Sequence, residues 1–134
     1  MIRPYLKFNR EAAKAFELYK TAFDGEIIKI QKYGDMPANP NFPILKEDKE
    51  LILHLEMKLT GSGIIMGSDT RNNLTGEGKV SISVEFDSEI EAQKAWNTLK
   101  EDAKVGMELQ QTFFAKQHGS LRDKFGVDWV FTVR

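Results

Sequence analysis

Residues 79–99, KVSISVEFDSEIEAQKAWNTL, carry the pattern on which the fold turns. The first eight alternate, Lys79, Ser81, Ser83 and Glu85 against Val80, Ile82, Val84 and Phe86, which is the period of a half-buried β-strand. The apolar set is expected to pack under a helix and the polar set to face a cavity. Ser88 and Glu91 then make a capping box ahead of Ala92, Ala95, Trp96 and Leu99, whose spacing predicts a helix over 88–100.

The same order occurs 78 residues earlier, where Phe8-Asn9-Arg10-Glu11 matches Phe86-Asp87-Ser88-Glu89. Residues 2–8 (IRPYLKF) predict a strand, and Asn9 offers a helix N-cap. Ala12, Ala15, Phe16, Tyr19, Ala22 and Phe23 lay one apolar stripe along a helix over 10–23, which Asp24-Gly25 ends. Strands follow at 26–33 (EIIKIQKY), 51–59 (LILHLEMKL) and, after the turn Gly61-Ser62-Gly63, 64–68 (IIMGS). Within 51–59 the leucines and Met57 share one face, opposite Ile52, His54, Glu56 and Lys58, so the second face meets solvent, a partner or a polar cavity. The second half continues with strands near 105–114, 118–123 and 127–133. Each half is therefore βαβββ, and neither buries both sheet faces alone.

A chain of 134 residues with 41% hydrophobic content predicts one domain, 1–134, with one module at about 1–70 and the other at about 77–134. Lysine and arginine number 19 against 20 acidic residues, so the net charge of -1 implies no general attraction to nucleic acid. No apolar run is long enough for a bilayer, and MIRPYLKFNRE turns polar too early for a signal peptide. The expectation is a cytoplasmic protein that binds neither membrane nor nucleic acid. Without cysteine there are no disulfides, thiolate sites or cysteine nucleophiles, and a metal would need histidine and carboxylates.

More specific are PYLKFNREAAKAFELYKTAFDGE at 4–26, LHLEMKL at 53–59, IIMGSD at 64–69 and QTFFAKQHGSLRDKFGVDW at 111–129. In the last run Thr112, Phe113, Gly119, Leu121, Asp123, Phe125, Gly126 and Trp129 carry the pattern. The chain resembles the PhnB-like branch of the vicinal oxygen chelate (glyoxalase/bleomycin resistance/dioxygenase) superfamily. It departs from that pattern at Phe114, where the family often has tryptophan. The resemblance covers nearly the whole chain and implies an α+β fold, two βαβββ modules forming curved mixed sheets around a cavity. It also implies a homodimer. Chains of this branch have been labelled demethylubiquinone methyltransferases, but no glycine-rich strand-to-helix turn able to cradle a nucleoside cofactor is present. The superfamily hosts isomerases, lyases, dioxygenases, thiol transferases and pure binders, so membership alone does not choose among them.

Metal-dependent members draw ligands from the first, fourth, fifth and eighth strands. The resemblance puts those positions at Arg3 or Pro4, Ile65 or Met66, Lys79, and near Val130, and none is an ordinary ligand. No metal is expected there and no cofactor is expected, although the sequence leaves room for a divalent ion at a non-standard site. Lys79 would repel such an ion and suits an anionic group instead.

His54 and Glu56 are two apart on one strand and project from one face, as a hydrogen-bonded pair or as the acid and base of a reaction. Tyr5 and Lys7 from the first strand, with Lys79 and Ser81 from the fifth, complete a polar surface suited to a small anionic or oxygen-rich ligand. Solvent or a dimer interface would suit that surface equally. Phe113 and Trp129 are the candidates for an aromatic wall beside it. His118, next to Gly119, is expected in an exposed turn. The proline-rich stretch 34–49 is a stiff surface excursion or a lid, and Lys46-Glu47-Asp48-Lys49 a solvated charge run. Two functions compete: chemistry on a small oxygen-rich molecule, with His54, Glu56 or a buried Lys79 moving the proton, and sequestration of a drug or metabolite without catalysis.

Overall fold

The computed structural model describes residues 1–59, 61–71 and 80–134. Its elements follow the order β1 (Tyr5–Asn9), α1 (Ala12–Phe23), β2 (Glu26–Lys32), β3 (Ile52–Lys58), β4 (Ile64–Thr70), β5 (Ile82–Phe86), α2 (Glu89–Leu99), β6 (Lys104–Gln110), β7 (Gln117–Arg122) and β8 (Asp128–Val133). The fold is α+β: one four-stranded sheet has the order β1-β4-β3-β2 and the other the order β5-β8-β7-β6. In each, the strand before the helix pairs in parallel with the last strand of its module, and the other pairings are antiparallel. The two sheets belong to two compact units, and the last turn of α1, Thr21–Phe23, groups with the second.

In the first unit the stripe Ala12, Ala15, Phe16 and Tyr19 is buried, with Phe8 of β1 edge-on to Phe16 at 5.9 Å. Each large apolar side chain so buried contributes roughly 1.5–3 kcal/mol. Gly67 of β4 makes this close approach workable, because a Cβ there would lie 2.8 Å from both the Phe16 ring and the Leu6 carbonyl oxygen. In the second unit Phe23 meets Trp129 at 5.0 Å, and Trp96 of α2 meets Phe131 edge-on at 5.5 Å. Ser88 caps α2 as expected, accepting the Glu91 N–H at 3.1 Å.

Helix α1 starts differently from the expectation. Asn9 is the last residue of β1, and Glu11 occupies the cap position without a side-chain bond. The cap comes from across the module: Asp69 on β4, only 3% exposed, accepts the Ala12 N–H at 2.9 Å and the Ile52 N–H at 2.8 Å. A carboxylate with two buried donors must be held in the sheet, and β4 accordingly runs to Thr70 rather than ending at 68.

Strand β3 keeps its alternation only in part. Gln31 faces His54 and Lys32 faces Ile52, so Leu53 is an extra residue, a β-bulge. The bulge reverses the parity, and Ile52, expected on the polar face, is buried with Leu55 and Met57. Val80, expected under a helix, is exposed because it precedes the first rung of β5, Ile82 opposite Trp129. Strand β6 ends at Gln110 rather than 114, since Thr112 and Ala115 close a turn: the Thr112 N–H donates to the Ala115 carbonyl and the Ala115 N–H to the Thr112 hydroxyl.

The excursion between β2 and β3 is pinned. Two 3-10 turns lie at Tyr33–Asp35 and Lys46–Asp48. The Arg71 guanidinium sits 4.6 Å from the Phe42 ring centre and donates to the Pro43 carbonyl at 3.0 Å. Asp48, expected to be solvated, is buried and pairs with Arg10 at 2.8 Å. Burial holds the Tyr33 phenol above its ordinary value, and it donates to the Asp69 carbonyl at 2.9 Å.

Candidate functional site

The polar face of the first sheet carries the densest array of titratable groups that the sequence singled out. A row in register crosses all four of its strands: Tyr5 on β1, Met66 on β4, Glu56 on β3 and Lys29 on β2. Residues in such a row are neighbours on one face. His54 lies two residues from Glu56 on the same side of β3, as the period of the strand requires.

These residues form one continuous chain. The Tyr5 hydroxyl is 3.3 Å from His54 Nδ1, and the two rings stack at 5.7 Å. His54 Nε2 is 2.9 Å from Glu56 Oε2, and the other carboxylate oxygen, Oε1, is 3.3 Å from Arg3 Nη1. The pair expected from spacing is therefore present, and Tyr5 joins it as expected. The hydrogen bond to His54 is the main cause holding the Glu56 carboxyl below its ordinary value. Partial burial opposes this, while the charges of His54, Lys29 and Arg3 reinforce it. When the imidazole is neutral, one tautomer satisfies every contact: Nε2–H donates to Glu56 while Nδ1 accepts from the Tyr5 hydroxyl. Such an imidazole is fixed in orientation, with its polarity set by the carboxylate.

The remaining sequence candidates fall elsewhere. Lys79, and with it the expected convergence of Lys79 and His54, lies outside the described residues. Phe113 is fully exposed on the turn after β6, edge-on to Phe114 at 5.2 Å, so it forms no wall against the polar residues of its own module. Trp129 is fully buried in the core of the second unit, and its Nε1 donates to Asp123 Oδ2 at 2.9 Å. Trp129 is thus packed in the core, and it is also one of the residues that line a hollow of the second unit. His118 is on β7, not in a turn, with Nδ1 3.1 Å from the Thr132 hydroxyl.

At the positions of the superfamily's metal ligands, Arg3 is engaged with Glu56 and Met66 offers only a thioether between Tyr5 and Glu56. With Val130 as the last of them, these side chains do not fit a divalent ion that prefers histidine and carboxylate. Among the described residues no group of three or more histidines, aspartates or glutamates is arranged to hold one.

The second unit contains a hollow of about 360 Å³ whose lining includes Ser81, Lys104, Gly106, Ser120, Arg122 and Asp128. Ser81 was expected on a polar surface and stands here. The other five were missed, because their meeting depends on the register of three strands. One signal was available: Arg122 and Asp128 flank the Asp123–Gly126 turn and so face each other across a hairpin.

A family model described as 3-demethylubiquinone-9 3-methyltransferase matches residues 1–132. Protein PA1353 from Pseudomonas aeruginosa is 32% identical, with a TM-score of 0.84 over 100% of this chain and 97% of that one. The PhnB protein of Bacillus cereus is 29% identical, with a TM-score of 0.79 over 99% of this chain and 98% of that one. The fosfomycin resistance protein FosX from Listeria monocytogenes, 12% identical with a TM-score of 0.66 over 98% of this chain and 91% of that one, shares the fold alone.

Proposed function

The chain belongs to the PhnB-like family of the vicinal oxygen chelate superfamily, and from that premise we propose that it binds a small oxygen-rich or anionic metabolite on the polar face of its first sheet, without the superfamily's usual metal set. The observation that carries this reading is the unbroken chain Tyr5–His54–Glu56–Arg3. A half-buried polar chain of this kind orients donors and acceptors toward whatever occupies the face, and Lys29 beside Glu56 adds positive charge. His54 and Glu56 are the groups that would move a proton if the bound molecule is transformed. The family's methyltransferase description is not adopted: α1 is entered through Asn9-Arg10-Glu11 and α2 through Asp87-Ser88, and neither entry is a glycine-rich cradle for a nucleoside cofactor.

Sequestration without turnover is the second reading, favoured by one feature of the same chain. Both imidazole nitrogens already have protein partners, so His54 must give one up before it acts as a base on a ligand. A thermal-shift screen of small hydroxy acids and phosphate esters, followed by calorimetry on the hits, tests the proposal. Hits should lose affinity in Tyr5→Phe and His54→Ala, and wild-type affinity in both variants would sink it. Mass spectrometry of the hits after incubation with the protein separates the two readings, since a sequestering protein returns its ligand unchanged.

A further inference from the structure

We infer that the hollow of the second unit is a binding site for a small oxyanion, a carboxylate or phosphoryl group, separate in its residues from the Tyr5–His54 face. The argument begins with an imbalance of charge. Lys104 on β6 is directly opposite Arg122 on β7, and Arg122 is directly opposite Asp128 on β8. Side chains opposed in this way share a face, and like charges so placed repel.

Among the described lining residues the only carboxylate, Asp128, is committed to the arginine. Arg122 grips Asp128 with two bonds, Nε to Oδ1 at 2.7 Å and Nη2 to Oδ2 at 3.1 Å, the fork-on-fork geometry that holds a carboxylate most firmly. Among the described residues Lys104 has no ion-pair partner, and the described lining holds two cations, Lys104 and Arg122, against one anion, Asp128. One further negative charge bound beside Lys104 would balance the described lining.

The other lining groups fit such a guest. Ser81 and Ser120 bring hydroxyls to the hollow, and among the described residues neither makes a side-chain hydrogen bond to protein. Each can donate to an oxyanion. Gly106 sits at a register shift between Val105 and Met107, where a Cβ would come 2.9 Å from the Ser120 hydroxyl oxygen. Its backbone has no positive φ, so conformation does not demand glycine here. The missing side chain instead leaves the Ser120 hydroxyl uncovered. A hollow of about 360 Å³ has room for an anionic group carried on a few carbons.

The test is an amide NMR titration of the full chain with inorganic phosphate and, separately, with malonate, at constant ionic strength, with glycerol as the uncharged comparison. Saturable shifts are expected at the amides of Gly106, Ser120 and Asp128 with at least one anion and not with glycerol. Saturation by phosphate alone identifies the phosphoryl source, and by malonate alone the carboxylate source. Lys104→Gln should weaken the interaction by about tenfold, the effect of removing one charge-assisted bond. Gly106→Ala should weaken it as well, by covering Ser120. Equal affinity in wild type and K104Q, or no saturable shift at these amides with either anion, would overturn the inference. Because the reporting amides are all in the second unit, neither result bears on the Tyr5–His54 proposal.

Discussion

Asp69→Ala should remove a large part of the stability of the first unit. The carboxylate is 3% exposed and accepts two backbone N–H groups, from Ala12 at 2.9 Å and from Ile52 at 2.8 Å. Each buried donor left without a partner costs about 1–3 kcal/mol, which brackets the loss at roughly 2–6 kcal/mol for the two. Water entering the space left by the carboxylate recovers part of that, so the expected loss is about 3–4 kcal/mol, against roughly 5–15 kcal/mol for a whole domain. Asp69→Asn keeps one accepting oxygen and turns an NH2 toward the second donor, so it should cost about 1–3 kcal/mol and fall between wild type and alanine. Urea unfolding followed by far-UV circular dichroism is the assay. Tryptophan fluorescence alone would mislead, because both tryptophans, Trp96 and Trp129, are in the second unit. A loss below about 1 kcal/mol in the alanine variant would refute the double cap.

Three further outcomes can be checked with the same assay. The Glu56 carboxyl is lower in the folded chain than its ordinary 4.5, so its stabilisation is complete above that value and drains away as pH falls through the folded one. Glu56→Gln should therefore flatten the acid side of the stability profile below about pH 4.5, and an unaltered acid limb would count against the His54–Glu56 bond. Gly67→Ala forces a methyl to within 2.8 Å of the Phe16 ring and should cost about 1–3 kcal/mol, whereas a stabilised variant would mean α1 sits farther from β4. Phe113→Ser should change stability by no more than about 0.5 kcal/mol, since the ring is fully exposed, and a larger drop would place Phe113 against something it does not touch here.

What could be read from the sequence was the periodic part. The stripes of α1 and α2 and the alternation of β5 depend on neighbours within a few residues, so local spacing was enough to locate them. His54 and Glu56 were legible for the same reason, because two residues apart on a strand means one face. Ile52 failed that rule through a bulge, an event set by the pairing of β3 with β2 and invisible in β3 alone. Asp69 and Asp48 were misjudged or missed because their partners, Ala12 with Ile52 and Arg10, stand between 17 and 57 residues away. Phe113, expected as part of an aromatic wall, is carried outward by the Thr112–Ala115 turn, which aromatic clustering in the sequence does not show.

The two sheets share a topology but distribute charge differently, and that difference decides which chemistry each can host. In the first, Glu56 stands between Arg3 and the imidazole of His54, with Lys29 opposite, so negative charge is ringed by groups that hold or share protons. That arrangement suits the orientation of a hydroxyl or the movement of a proton, because the carboxylate keeps the imidazole in one tautomer. In the second, Asp128 is closed onto Arg122, and the unbalanced group is the Lys104 cation, a point charge with three donors and no fixed direction. Such a group holds an anion without dictating its shape, while the Ser81 and Ser120 hydroxyls supply the directional bonds. Substitutions at Lys104 and at His54 should accordingly act on separate binding events: the charge of an anion in the second unit in one case, and the hydroxyl pattern of a ligand on the first sheet in the other.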